Sequence, residues 1–300
     1  MMKNKCLNVL KNNGKTSRKT RRNRRPADWV LLLVLCLFAF VLAYPFVYVL
    51  SASFTDAEIY FKEGIFLLPK KPTLKNFSLV FGIKNFSLAA FVSVTRTLLG
   101  TLVSVLLIAM LAFGLADRKL MGRRFFMKYF FLTTIFNGGI IPYVVVLQKL
   151  NLINNYWVYI LPAIYSFFNM IIIRTAFEGI PSTIEEAAKL DGAGDTYIFF
   201  CIYMPLAKAS LVVVAMYTAV FHWNDWFAGV YYVTNPKMKP LSALLQELVR
   251  NSSSGSANDA INDSVKVMAF TVLMILPIAA VYPFSQKYFE DGVTVGSIKE

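Results

Sequence analysis

Charge is scarce in this chain, and histidine and cysteine are scarcer. Only 16% of its 300 residues are charged, where soluble domains carry about 25%. So little charge cannot cover a water-exposed surface, which excludes an ordinary soluble protein. A single histidine, His222, and three widely separated cysteines, Cys6, Cys36 and Cys201, offer no metal-ligand or redox spacing. The sequence also lacks a Gly-x-x-x-x-Gly-Lys-Ser/Thr loop, so ATP binding by that device is not expected of this chain. With no zinc motif, no nucleophile elbow and no second histidine, an intramembrane hydrolase is disfavoured. Neither a metal nor any other cofactor is expected in the chain itself.

Apolar residues take the place of charge: 57% are hydrophobic and 15% aromatic. They gather into six runs, at 29–50, 88–116, 125–147, 157–176, 210–233 and 267–284. A helix needs roughly 20 apolar residues to cross a hydrocarbon core of about 30 Å. The expected fold class is therefore an all-α membrane protein with six transmembrane helices. Arg96, near the start of the second run, is expected to snorkel toward the headgroups. Gly138, Gly139 and Pro142 are expected to break or kink the third.

The flanking segments set the domain organisation. Residues 1–25 hold ten Lys and Arg and no acidic residue, and 1–27 is expected to be a disordered cytoplasmic tail. The first run is too long for the apolar part of a cleaved signal peptide, so it is expected to be retained. The membrane domain spans 28–284, with a polar loop at 181–207 between the fourth and fifth helices, and 285–300 forms a C-terminal tail. The segment 251–264, rich in Ser, Asn, Asp and Gly, is expected to be a flexible outer loop.

The formal charge of +14 would suit nucleic acid, but the basic residues sit beside apolar runs, as lipid orientation requires. With the N-terminus inside, the cytoplasmic segments hold twenty Lys and Arg and the outer ones ten, Arg96 being the remaining one. Cytoplasmic loops carry the excess, so both termini are expected in the cytoplasm. The bilayer is the expected partner, and nucleic acid is not.

One polar stretch differs from its surroundings. It reads Pro-Ser-Thr-Ile-Glu-Glu-Ala-Ala-Lys-Leu-Asp-Gly-Ala-Gly-Asp at 181–195 and continues to Met204 and Pro205. Ser182 or Thr183 is expected to cap a helix whose first turn holds Glu185 and Glu186, both favourable at the positive end of the helix dipole. Ile184, Ala187, Ala188 and Leu190 follow at helical spacing, and Gly192 and Gly194 let the chain turn into a second helix. The bland alternative is a loop that merely joins two spans.

This stretch resembles the EAA loop of bacterial ABC importer permeases, in which Glu-Ala-Ala is followed after three residues by Gly and after nine more by Ile-x-Leu-Pro. Glu186, Ala187, Ala188, Gly192, Ile202 and Pro205 match, and Met204 stands in place of Leu. The likeness extends over 28–300. It includes Asn-Gly-Gly-Ile-Ile-Pro at 137–142, the segment 157–174, His-Trp-Asn-Asp-Trp-Phe at 222–227 and Gln-Lys-Tyr-Phe at 286–289. Together these resemble carbohydrate-importer permeases of the maltose type, in the branch associated with oligosaccharides and polysaccharides.

The resemblance implies a multi-pass subunit of the bacterial cytoplasmic membrane. It implies as partners a second, related permease, two ATP-binding subunits carrying ATP and Mg, and an extracytoplasmic solute-binding protein. Glu186, Ala187, Ala188, Asp191, Gly192, Ile202 and Pro205 would couple the chain to an ATP-binding subunit. Glu186 would pair with a basic group there, and the C-terminal tail would also touch these subunits.

Polar and aromatic residues within the runs are candidates for the translocation path: Asn137, Asn169, Trp223, Asn224 and Trp226. An interfacial aromatic belt or ordinary helix packing explains the same residues. Arg174 reads as an orientation anchor. Import of another solute is the nearest alternative function. An ion-coupled secondary transporter is less favoured, because inverted repeats and several intramembrane carboxylates are not visible.

Overall fold

Long apolar runs form all or the middle part of the three longest helices of the computed structural model, which describes residues 26–63, 67–69, 71–136, 138–252 and 257–297. The expectation for residues 1–25 lies outside them. The chain divides into two units, Met1–Val47 and Tyr48–Glu300. Helix α1, Pro26–Ser53, begins with a proline, whose missing N–H has no partner to lose in a first turn. Asp28 lies in that turn, favourably near the positive end of the helix. Beyond its end, Asn76 donates through Nδ2 to the Ser53 and Thr55 carbonyls at 3.0 and 2.7 Å. These bonds fix the short helix α3, Lys75–Phe81, to the C-terminal end of α1, and a hydrogen bond of 2.8 Å between the Tyr48 and Tyr60 hydroxyls joins α2, Ala57–Glu63, to it.

Helix α4, Phe86–Ala116, is the central element. Its buried residues Ala89, Val92, Ser93, Arg96, Gly100, Ser104, Ile108, Ala112 and Leu115 recur every three or four positions and so form one stripe. At about 1.5 Å per residue, its 31 residues exceed the thickness of a bilayer core.

The third and fourth apolar runs are broken. α5, Arg123–Ile135, and α6, Ile140–Lys149, meet at 115°. Gly139 lies at the break with φ +84°, where an L side chain would be strained. Pro142 falls in the first turn of α6, where it costs no internal hydrogen bond. In the fourth run, two 3-10 turns, Tyr156–Tyr159 and Leu161–Ala163, precede α7, Phe167–Glu178, at 51°.

The polar stretch gives α8, Ser182–Leu190, and α9, Asp195–Leu206, the latter π-helical over Ile198–Tyr203. Helix α10, Lys208–Asn224, follows at 83° and is succeeded by α11, Phe227–Tyr231. The fifth run is thus interrupted at Asp225. After α12, Leu241–Ser252, comes α13, Ala257–Ser297.

Part of the expected flexible loop 251–264 is therefore helix: the end of α12 and the first turns of α13, with 253–256 outside the described residues. A Lys266 to Asp263 ion pair of 2.8 Å, one helical turn apart, supports the start of α13. The helix also continues through 285–297, where a tail is expected. Among the described residues, Asp28–Ser53, Phe86–Ala116 and Asp263–Pro283 are each long and apolar enough to cross a membrane, and the three bent pairs raise the number to six if each pair is one crossing.

Candidate functional site

Helix α8 starts on Pro181, whose extended ψ of 130° makes it the N-cap. The expected cap by Ser182 or Thr183 is not formed, because Ser182 is already the first helical residue. At the other end Gly192, with φ +85°, takes the left-handed position after the helix. The Ala193 N–H donates to the Ala188 carbonyl at 2.9 Å and the Gly192 N–H to the Lys189 carbonyl at 3.1 Å. This is a Schellman closure, and it accounts for glycine at position 192.

The two faces of α8 differ. Ala188, with Ala193 just beyond the turn, packs against a buried cluster built from α4, α7, α9 and α10. Glu186, Ala187 and Asp191 face outward. Ile184 is 39% exposed and Leu190 89% exposed, so the helix offers apolar surface that the described residues do not cover. Ile202 is half-buried against the same cluster, whereas Pro205 is exposed and lies just before the bend at Ala207.

Glu185 points back toward the helices. Its Oε1 accepts from Lys189 Nζ at 2.7 Å and its Oε2 from the Tyr203 hydroxyl at 2.6 Å. The Lys189 hydrogen bond, then that of Tyr203, holds this carboxyl below its ordinary range.

Nearby, the C-terminal end of α4 is closed by two arginines. Arg123 and Arg174 donate through Nε to the Leu115 carbonyl at 2.8 and 3.3 Å, and both guanidinium groups pair with Glu178. Carbonyls at a helix C-terminus lack internal partners and carry partial negative charge, so this arrangement ties α4, α5 and α7 together. Arg174 therefore serves as an internal tie.

At the other end of the bundle Arg96 departs from expectation. It does not snorkel: it is 1% exposed and directed inward, because its partners all lie within the protein. Its Nη2 donates to the Asp225 carbonyl at 2.5 Å, to Ser242 Oγ at 3.2 Å and to the Trp223 carbonyl at 3.4 Å. Its Nη1 lies 3.7 Å from Asp225 Oδ2, and the guanidinium sits 5.2 Å from the Tyr159 ring centroid. Asp225 Oδ1 in turn accepts the N–H groups of Phe227 and Ala228, which start α11. Asp225 thus satisfies a helix beginning while Arg96 satisfies a helix end.

His222 packs against Gly100 so closely that a Cβ on the glycine would lie 2.5 Å from Nε2. Thr101 Oγ1, Ser104 Oγ and His222 Nε2 are buried without a hydrogen-bond partner among the described residues. The α4–α10 seam is accordingly polar around Gly100 and apolar farther along, at Ile108, Ala109, Ala112, Leu211 and Val214.

The path candidates fall in different settings. Asn137 lies outside the described residues. Asn169 is buried and donates through Nδ2 to Thr218 Oγ1 at 3.2 Å. Trp223 is buried, its Nε1 donating to the Met274 carbonyl of α13 at 3.0 Å. Asn224 and Trp226 are exposed, and Trp226 stands beside Phe227 and Tyr231. Sequence reasoning missed the Arg96–Asp225 pair, although an arginine in an apolar run is itself a signal that a partner must exist. It also missed the Glu185–Tyr203 bond, for which no sequence signal stands out.

The family described as "Binding-protein-dependent transport system inner membrane component" matches residues 16–295. The polygalacturonan/rhamnogalacturonan transport system permease protein YtcP of Bacillus subtilis (strain 168) is 34% identical over 280 residues, covering 91% of this chain and 98% of that protein. Protein LplC of the same organism is 35% identical over 262 residues, covering 85% of this chain and 88% of LplC. A chain of a bacterial ABC transporter involved in the import of the acidic polysaccharide alginate superposes with a TM-score of 0.81 at 29% identity, covering 89% of this chain and 98% of that one.

Proposed function

The chain belongs to the family of binding-protein-dependent transport system inner membrane components, and from this we propose that it is the membrane-embedded permease of an ATP-driven importer of an oligosaccharide or polysaccharide fragment. Helix α8 is the observation that carries the mechanism. It is short and capped by Gly192, anchored on its inner side by Ala188, and bare on the side that holds Glu186, Ala187 and Leu190. Such a helix fits a cleft on an ATP-binding subunit. Glu186 meets a basic group there, the alanine keeps the surface low, and Asp191, Gly192, Ile202 and Pro205 hold the turn and the following helix in place.

In this reading two ATP-binding subunits bind ATP and Mg, and this chain has no ATPase site of its own. A second, related permease completes the path, and an extracytoplasmic binding protein delivers the sugar. Each bent pair is one crossing, which makes six, with both termini and α8 in the cytoplasm. The excess of Lys and Arg in the corresponding segments supports that orientation. Asn137, Asn169, Trp223, Asn224 and Trp226 remain the candidates for the path. Exposed Asn224 and Trp226 pair an amide with an aromatic face, which suits sugar hydroxyls and C–H faces. Relatives named for polygalacturonan and for the acidic polysaccharide alginate make an acidic oligosaccharide the first substrate class to test.

The test is ATP hydrolysis by the complex co-purified from detergent. The sugar-loaded binding protein stimulates hydrolysis in the wild type, and Glu186→Lys removes the ATP-binding subunits from the complex. Assembly and stimulated hydrolysis unchanged in Glu186→Lys would refute docking through α8.

A further inference from the structure

Tyr203 joins the exposed loop to the buried helices. It is 6% exposed. It stands edge-on to Phe113 of α4 and Phe177 of α7, with centroids at 4.9 and 5.3 Å and an interplanar angle of 80° in each case. Its hydroxyl leaves this apolar cluster to donate to Glu185 Oε2 on α8 at 2.6 Å. Lys189 Nζ, bound to the other carboxylate oxygen, lies 3.7 Å from Asp195 Oδ1 at the start of α9. Tyr203 also ends the π-helical stretch Ile198–Tyr203, and π-turns are rare and frequently occur at functional sites.

Apart from this bond, α8 meets the buried cluster through small residues, Ala188 and Ala193, and continues through the left-handed turn at Gly192. Methyl contacts of that size resist sliding weakly, because each atom pair contributes little. A hydrogen bond to an ionised carboxylate is shorter, stronger and directional. A ring held in a close-packed interior cannot follow its hydroxyl without moving its neighbours.

We propose that Tyr203 is a positioning residue for energy coupling: through its bond to Glu185 it makes α8 move as one body with the adjoining ends of α4 and α7. The inference rests on the reading of α8 as the docking helix. It assigns the transmission of motion to a pair distinct from the outward-facing Glu186.

The experiment uses the complete importer in proteoliposomes and reads three quantities: subunit assembly, ATP hydrolysis stimulated by the loaded binding protein, and sugar transported per ATP hydrolysed. Tyr203→Phe keeps the ring and removes the hydroxyl. It is expected to assemble and hydrolyse ATP as the wild type does, while transport per ATP falls about tenfold, in keeping with loss of a hydrogen bond to a charged group. Glu185→Ala, on the exposed helix, removes the same bond without touching the core and is expected to show the same loss. Glu185→Gln retains an acceptor oxygen and is expected to recover most of the coupling. The double variant Tyr203→Phe/Glu185→Ala is expected to be no worse than either single one.

Wild-type transport per ATP in Glu185→Ala, or additive losses in the double variant, would overturn the proposal. If Tyr203→Phe fails to assemble, Glu185→Ala decides alone. Normal coupling in these variants with lost assembly in Glu186→Lys would remove the strut and leave the docking reading standing. Intact assembly in Glu186→Lys would remove the docking reading itself.

Discussion

Arg96 must keep its partners to remain buried. Breaking a buried ion pair from one side costs about 3–5 kcal/mol, because the other charge is left without compensation. Asp225→Ala is therefore expected to lower the thermal unfolding temperature of the detergent-solubilised protein, and Arg96→Met/Asp225→Ala to lower it less than Asp225→Ala alone. Gly100→Ala is expected to destabilise by about 1–3 kcal/mol through overpacking, since the added carbon meets the His222 ring. His222→Ala in the same chain should relieve most of that loss. An arginine in an apolar run shows in the sequence that compensation is required. Its partners do not, because Asp225 lies 129 positions away and only the crossing of α4 with the end of α10 brings them together. Glu185 behaves differently, since its carboxyl is held below the ordinary value of 4.5 by Lys189 first and by Tyr203 second. A depressed carboxyl contributes stability that is present above its ordinary range and lost as pH falls through the lowered value. The difference in unfolding temperature between wild type and Glu185→Ala should stay constant from about pH 8 to about pH 5 and vanish at lower pH.

Helix ends and breaks account for most of what could be read in advance. Gly138, Gly139 and Pro142 signal the break between α5 and α6, and Gly192 signals the turn after α8, because Gly139 and Gly192, with positive φ, serve a conformation that other residues resist. Gly192→Val is expected to weaken assembly with the ATP-binding subunits, measured by co-purification, while leaving the membrane helices folded. The N-terminus of α8 was less legible: Ser182 and Thr183 both have capping side chains, but Pro181 fixes the start one residue earlier. The first turns of α13 were hidden by composition, since Asn, Asp and Ser are read as loop formers. In the fifth run hydrophobicity continues across Asp225, so the division into α10 and α11 appears only when that carboxylate is seen accepting the N–H groups of Phe227 and Ala228.

Taken together, the helices place two polar ties at opposite ends of α4. Arg96 with Asp225 holds one end, and Arg123, Arg174 and Glu178 hold the other. The seam between α4 and α10 lies between them. An importer that opens alternately to each side requires rigid groups of helices and a device that drives them. Helix α8, tied to this bundle by the bond from Tyr203 to Glu185, is the element that we propose receives that drive. Membrane embedding was legible from composition and apolar runs, and the short helix α8 with its turn at Gly192 from the order of its residues. The candidate path residues were legible only as a polar and aromatic set, because the crossings that bring Asn169 to Thr218 and Trp223 to Met274 join positions far apart in the sequence. The central claim is that this chain imports its sugar at the expense of ATP through α8. Uptake of an acidic oligosaccharide into proteoliposomes containing the complete importer tests it most directly, with ATP enclosed, the binding protein outside and an uncoupler present. Uptake that requires ATP, persists with the uncoupler and disappears in Glu186→Lys is the predicted result; uptake without ATP that collapses with the uncoupler would contradict it.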